Sequence, residues 1–491
     1  MLPIRHIFVA AAFAHISWIW IDTPKQVYFC PLNREGLAND WVDENCYWST
    51  SYAEARGKFV SLGNRLREQL MLSKDGNNEL LLNLLDVQSI TYDIAENSED
   101  YKSLQATNAS TLQTISPEKD TVDAILLTMR VPDDHIDIIH SSGTHGVEGY
   151  LGSAIQIRFL HELFLLNEAL LQNKGQEKAS ENGKVRKILL IHAVNPFGMR
   201  HHRRTNENNV DLNRNVLAAD KIKTVIERDP NFFGYVDMDY VLNPINSHTS
   251  SHQSGNDLPE QSSYDTIHTF VKELGSIASV IGSIVKIIIT KGYTNAKRTI
   301  VSAQYHNKNG VFFGGTTRRE NSAVAVQHAI DKFAGFSLSY GNTDVKSKVF
   351  WIDVHTGLGK YGSYTLIEKE IPDKTMSWRS QLNTLITSLE ETQASSSKAV
   401  SSGYEQTVGF INGEVLCPSP SCFAVSQEFG TRPGVAVILG LILENKGFHG
   451  GKREFAYLTS NAFQPQRLSW RRTTLRGGTE MLLAALKFQP R

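Results

Sequence analysis

Past Cys46 the chain alternates short apolar runs with longer stretches in which apolar residues recur at helical spacing. The runs at 124–131, 136–140, 187–194 and 348–354 are rich in Ile, Val and Leu. They have the length and composition of strands buried on both faces. Residues 52–72 and 151–172 carry helical periodicity, the second with Phe159, Leu160, Leu163, Phe164 and Leu166 as its apolar positions. Pro433 ahead of residues 434–445 predicts another helix, because a first turn leaves unpaired the donor that proline lacks. Strands alternating with helices of ten or more residues predict an α/β fold, a mixed and largely parallel sheet with helices on both faces.

Two stretches break the pattern. Residues 246–263 and 391–406 are poor in apolar side chains and rich in Ser, Gln and Gly, so they are expected to be surface insertions. A length of 491 residues, 41% hydrophobic and 21% charged, suits a globular protein with a large core. Fifty Lys and Arg against 51 Asp and Glu give a net charge of −1. That balance supplies no field for nucleic acid or for an anionic membrane.

The N-terminal portion, residues 1–46, reads as an extension. Its apolar run at 7–21 is too short to span a bilayer and is interrupted by His15, so no integral membrane span is expected. It fits a signal peptide with Ala12-Phe13-Ala14 before the cleavage site, and a buried N-terminal strand is the alternative. A secreted or endomembrane location is therefore weighed above a cytoplasmic one. Cys30, Cys46, Cys417 and Cys422 form two local pairs that read as disulfides in a secreted chain or as buried thiols otherwise. Three connectivities are open to them. Asn108-Ala109-Ser110 is a glycosylation sequon, which matters only on the secretory route.

Four places carry candidate chemistry. In SSGTHGVEG (residues 141–149) small residues follow a strand, and His145 and Glu148 stand three apart as a helix begins. An imidazole and a carboxylate so placed can reach one cation, and zinc takes such ligands at about 2.0–2.2 Å. His161-Glu162 fails as a metalloprotease pair, because Leu165 stands where H-E-x-x-H needs its second histidine, and it is expected on a helix surface. In WIDVHTGLG (351–359) His355 ends a strand, with Asp353 on the same side to orient it. The carboxyl edge of an open α/β sheet is where ligands bind. HHRRTNENNVDLNRN (201–215) offers Asn213 with Arg214 to clamp a carboxylate and Arg203 or Arg204 to polarise a carbonyl. In SQEFGTRP (426–433) Glu428 is a carboxylate suited to general-base work if it faces an activated water.

In this order, SGTHGVEG, NVDLNRN, DVHTGLG and QEFGT resemble the zinc carboxypeptidase superfamily, which includes the aspartoacylase and succinylglutamate desuccinylase deacylases. The likeness is greatest to a little-characterised carboxypeptidase-like branch, through QYHNKNGVFFGG (304–315), LNP (242–244) and LENKGFH (443–449). It runs over most of the chain, from about residue 47 to 486, and implies one catalytic domain there. It implies one zinc ion on His145, Glu148 and His355 with water as fourth ligand. It further implies Glu428 as general base and Arg204, or neighbouring Arg203, as the oxyanion stabiliser. Asn213 and Arg214 correspond to the pair holding a substrate carboxylate. Two departures stand out. Glu148 and His355 are further apart than in compact carboxypeptidases, and the tyrosine that caps substrate has no clear counterpart, Tyr404 in the Ser-rich stretch being the candidate.

Three functions follow as expectations. The first is a metallocarboxypeptidase acting on a small peptide or related amide. The second is a deacylase of N-acyl amino acids. The third is a catalytically silent module that binds carboxylates, against which stands the presence of His145, Glu148, His355 and Glu428 together.

Overall fold

A computed structural model describes residues 44–75, 84–94, 106–108, 119–173, 183–228, 234–243, 278–316, 318–336, 348–368, 377–391, 404, 407–413, 415–418 and 421–490. The expected signal peptide, Cys30 and the first Ser-rich insertion lie outside these residues. So does the second insertion, apart from Glu391 and Tyr404.

Eight strands form one sheet: β1 (Leu84–Asp93), β2 (Ala106–Asn108), β3 (Thr121–Val131), β4 (Asp137–Ser142), β5 (Lys184–His192), β6 (Val349–Tyr361), β7 (Tyr364–Glu368) and β8 (Cys422–Gly430). Their order is β2-β1-β3-β5-β4-β6-β8-β7. The central strands β5, β4, β6 and β8 run parallel. Antiparallel pairings complete both margins, β3, β1 and β2 on one side and β7 on the other. The sheet is thus mixed, and the four expected runs fall on β3, β4, β5 and β6.

The helices used below are α1 (Tyr52–Asp75), α2 (Gly149–Asn173), α3 (278–291), α4 (Tyr293–Val301), α5 (Asn321–His328), α6 (Ser377–Glu391), α7 (Gly434–His449) and α8 (Leu468–Lys487). Helices cover both faces, as the continuous apolar strands require. Phe59 of α1, Ile155 of α2, Leu382 of α6 and Leu482 of α8 pack with Ile138, Leu190, Ile352 and Val425. Val326 of α5 packs on the other face with Ile139, Leu189, Trp351 and Ala424. Neighbours along one strand, such as Trp351 and Ile352, enter opposite cores because successive strand side chains alternate faces. A third apolar cluster joins Val241 and Leu242 to Ile284 and Ile287 of α3 and to Val437 and Leu441 of α7.

Two local expectations change. His161 is not on a surface: it is buried on α2 with its Nδ1 3.1 Å from the hydroxyl of Tyr47, while Glu162 pairs with Arg158. Among the three connectivities, Cys417 pairs with Cys422, closing the turn that enters β8, and Cys46 is also disulfide-bonded. Among the described residues no helix is long and apolar enough to cross a membrane.

Candidate metal centre

The carboxyl ends of β4, β6 and β8 carry the chemistry. The turn after β4 starts with Gly143 at φ +73°, a conformation that disfavours side chains, and leads into the short 3-10 turn Gly146–Glu148. Gly146 makes the turn fit: a Cβ there would stand 2.0 Å from the carbonyl carbon of Gly198 and 2.1 Å from the nitrogen of Met199. His145 precedes this turn in extended conformation and Glu148 ends it, so both side chains face one point. His355 reaches the same point from β6, its neighbour in the parallel register being Glu428 of β8.

His145, Glu148 and His355 are all buried, and one ligand atom from each lies within 4.8 Å of the others. Nδ1 of His145 is 3.0 Å from Glu148 Oε1, and Nδ1 of His355 is 3.1 Å from Glu148 Oε2. The opposite ring nitrogens are spoken for. His145 Nε2 lies 3.1 Å from Asp211 Oδ1, and His355 Nε2 lies 2.7 Å from Asp353 Oδ2. A carboxylate on Nε2 selects the tautomer whose Nδ1 lone pair is available to a metal. Among the described residues Nδ1 of His145 is a buried nitrogen without a hydrogen bond, despite its proximity to Glu148. That orphaned acceptor, paired with two imidazoles backed by carboxylates, fits a borderline-soft divalent cation bound by N and O donors.

The supporting shell is as well defined. Asp353 accepts hydrogen bonds from Ser141 Oγ at 2.7 Å and from Thr144 Oγ1 at 3.0 Å, and Trp351 Nε1 donates to Ser141 Oγ at 2.8 Å. Arg204 donates from Nη1 to Glu148 Oε1 at 3.1 Å and from Nε to Asp211 Oδ2 at 2.9 Å. The backbone nitrogen of Thr356 donates to Glu148 Oε2 at 3.1 Å. Burial alone would raise the Glu148 carboxyl, but His145 and His355 outweigh it and hold the group below the usual carboxylate range. Burial would likewise lower His355, yet Asp353 and Glu148 push it well above the usual imidazole value. The cluster therefore demands positive charge at its centre.

The remaining expected residues divide. Glu428 is buried beside the cluster, takes a hydrogen bond from the nitrogen of Leu358 at 2.9 Å, and is raised by burial and then by Glu148. Asn213, Arg214 and Tyr404 line the same cavity as the ligand triad, Arg204 and Glu428. Arg214 donates from Nε to the Val301 carbonyl at 2.9 Å and from Nη1 to the Asn213 carbonyl at 2.7 Å. Among the described residues its Nη2 is buried without a hydrogen-bond partner. Asn213 accepts at Oδ1 from the nitrogen of Ile411 at 2.9 Å. Arg203 goes elsewhere: its Nε donates to Glu444 at 2.7 Å and its guanidinium lies 3.3 Å over the ring of Phe448. Adjacent residues outside a helix send their side chains apart, and only Arg204 enters the site.

Asp211 is the residue that sequence reasoning passed over. It binds His145 and Arg204 and caps the 3-10 turn Leu212–Arg214 by accepting from the nitrogen of Asn213 at 3.0 Å. Its one signal was an Asp just before the Leu-Asn-Arg turn, a capping position, which says nothing about a partner 66 residues away.

No curated protein matches this chain. The profile of one family, described as Protein of unknown function (DUF2817), matches residues 116–477, which take in all three residues of the triad, Asp211, Arg204 and Glu428. A buried His/Glu/His cluster inside the matched region is consistent with a metal-binding, carboxypeptidase-like superfamily, and the chain belongs to the DUF2817 family.

Proposed function

We propose that this protein is a zinc-dependent amide hydrolase of the metallocarboxypeptidase type, acting on a small substrate that carries a carboxylate. The observation that carries the reading is the convergence of His145 Nδ1, His355 Nδ1 and the Glu148 carboxylate beside an unpaired, buried guanidinium nitrogen of Arg214. His145, Glu148 and His355 would hold one Zn2+, three protein ligands being the number that leaves a position open for chemistry. When bound, the ion supplies Lewis acidity, which polarises an amide carbonyl and brings the pKa of water to about 7.

The protein's own groups do the rest. Glu428 accepts the proton of the attacking water on a carboxylate oxygen and passes it to the departing nitrogen. Its raised pKa, set by burial and the Glu148 charge, suits a group that must hold that proton between the two transfers. Arg204 has Nε and Nη1 fixed by Asp211 and Glu148, which leaves Nη2 to meet the oxyanion. Arg214 Nη2 and the Nδ2 of Asn213 take the substrate carboxylate. An unpaired buried donor costs about 1–3 kcal/mol, and a bound carboxylate accounts for its retention. Tyr404 lines the cavity with its phenol kept neutral, burial and then Glu428 raising it, and it closes over the bound substrate as a donor.

The same reading takes residues 47–486 as one catalytic domain, since its machinery from residue 145 to 428 meets on one sheet edge. Disulfide bonding of Cys417, Cys422 and Cys46 supports passage through an oxidising compartment, in line with a secreted or endomembrane location. The deciding experiment is Glu428→Gln. Chelator-sensitive hydrolysis should fall by about 10²–10⁴ while zinc content stays at the parent level. Parent-like turnover in that variant removes Glu428 from the mechanism.

A further inference from the structure

The cavity that contains the triad holds about 1080 Å³ including its open mouth. Its polar side chains are those of the triad, Arg204, Asn213, Arg214, Tyr404 and Glu428, with Thr356, Ser426 and, from α4, Tyr293 and Lys297. Much of the remaining wall comes from three helices, the short helix Asp239–Leu242, α3 and α7. Val241, Leu242, Ile284, Ile287, Val437 and Leu441 are their contribution, and all six belong to one buried apolar cluster. Among the described residues, these three helices place no amide, hydroxyl or charged side chain in the wall. Within α3 the backbone groups at Ile284, Ile287 and Ile288 are bonded along the helix and offer nothing to a ligand.

This wall discriminates between the substrates that the polar end accepts. A peptide lying along it would bury amide groups that no side chain of these three helices can partner, at a cost of about 1–3 kcal/mol for each group left unpaired. A hydrocarbon chain has no such groups and gains by leaving water. We infer that the acyl side of the substrate is a long aliphatic chain, and that the enzyme hydrolyses N-acyl amino acids built on fatty acids. The inference rests on the hydrolase reading above and specifies its substrate. Water adds to the acyl carbon and the C–N bond breaks. The nitrogen leaves with the proton carried by Glu428, giving a fatty carboxylate and a free amino acid. Arg214 holds the amino acid's carboxylate at the polar end, and the chain lies against α3 and α7.

The test uses the zinc-loaded full chain and N-acetyl, N-octanoyl and N-dodecanoyl derivatives of one amino acid. Two further arms are a blocked peptide of matching length and N-acetyl amino acids with large apolar side chains. With about a fourfold gain per added methylene over the first additions, kcat/KM should rise roughly 100-fold or more from acetyl to octanoyl. Ile287→Trp should shrink that ratio by tenfold or more, and Val437→Phe, on a different helix, should do the same if the first variant fails to fold. A ratio near one overturns the inference while leaving the hydrolase reading standing. So does a preference for the blocked peptide, or for side-chain size on the amino-acid side. Calorimetry of the acyl series on Glu428→Gln separates the two ideas. Chain-length-dependent binding without turnover of any substrate by the parent upholds the cavity's ligand class and sinks the hydrolase reading. Binding that ignores chain length sinks the inference.

Discussion

Replacing Asp211 by Asn perturbs the centre at a residue that touches no metal. The carboxylate is fully buried and accepts from His145 Nε2, Arg204 Nε and the nitrogen of Asn213. Burial alone would raise its pKa, but Arg204, His145 and Arg214 hold it well below the usual carboxylate range, so it is an anion. An isosteric amide keeps one oxygen and turns an NH2 toward either His145 Nε2 or Arg204 Nε. Both positions currently donate, so one donor must face another. If His145 reorients, the tautomer presenting Nδ1 to the centre loses its anchor, and zinc affinity should fall about 10–100-fold. That corresponds to roughly 1.4–2.8 kcal/mol at 1.4 kcal/mol per tenfold. If Arg204 gives way instead, a charge-assisted hydrogen bond worth about 1.5–3 kcal/mol is lost from the folded state. The assay is competition for zinc against a chelator of known affinity, with circular dichroism and a denaturant midpoint on the same samples. Zinc affinity within twofold of the parent, together with an unchanged midpoint, would show that Asp211 neither orients His145 nor anchors Arg204.

Two further outcomes are expected. Gly146→Ala places a Cβ 2.0 Å from backbone of the facing segment, which has no flexible side chain to withdraw. Stability should drop by about 3 kcal/mol, the upper end of overpacking costs, with weaker zinc binding, and a parent-like denaturant midpoint would refute the packing argument. Burial, with the carboxylates of Glu320 and Asp120 behind it, pushes Glu207 up to about 7. A folded pKa above the unfolded one contributes stability that is complete below about 4.5 and lost as pH rises through about 7. The loss by pH 8.5 amounts to at most about 3 kcal/mol, so Glu207→Gln should narrow the gap in Tm between pH 5.5 and 8.5, and equal pH slopes in variant and parent would contradict it.

How far the sequence could be read depended on how local each feature was. β3, β4, β5 and β6 showed as Ile, Val and Leu runs because both their faces are buried. β1 did not, since its Leu84, Val87, Ile90 and Tyr92 lie among polar residues and a register shift between Leu84 and Asp86 breaks the alternation. Asp353 could be assigned to His355 because two residues along a strand share a face. Asp211 could not be assigned to His145, because their meeting depends on a loop and not on any period. The choice between Arg203 and Arg204 was likewise invisible, as side-chain direction outside regular structure follows from long-range packing, here against Glu444 and Phe448 in one case and Glu148 and Asp211 in the other.

By itself, then, the sequence determined the class of sheet, the turn that places His145 and Glu148 on one side, and the strand end that carries His355. Each of these is encoded within a few residues, by side-chain alternation, turn-forming glycines and helical spacing. The tertiary structure decided what the pieces become together. The parallel register setting His355 beside Glu428, the carboxylates that select the histidine tautomers, the orphaned nitrogen of Arg214 and the aliphatic wall of α3 and α7 join residues tens to hundreds of positions apart. Such contacts are fixed by how separate apolar faces pack against one another, and no local pattern records that outcome.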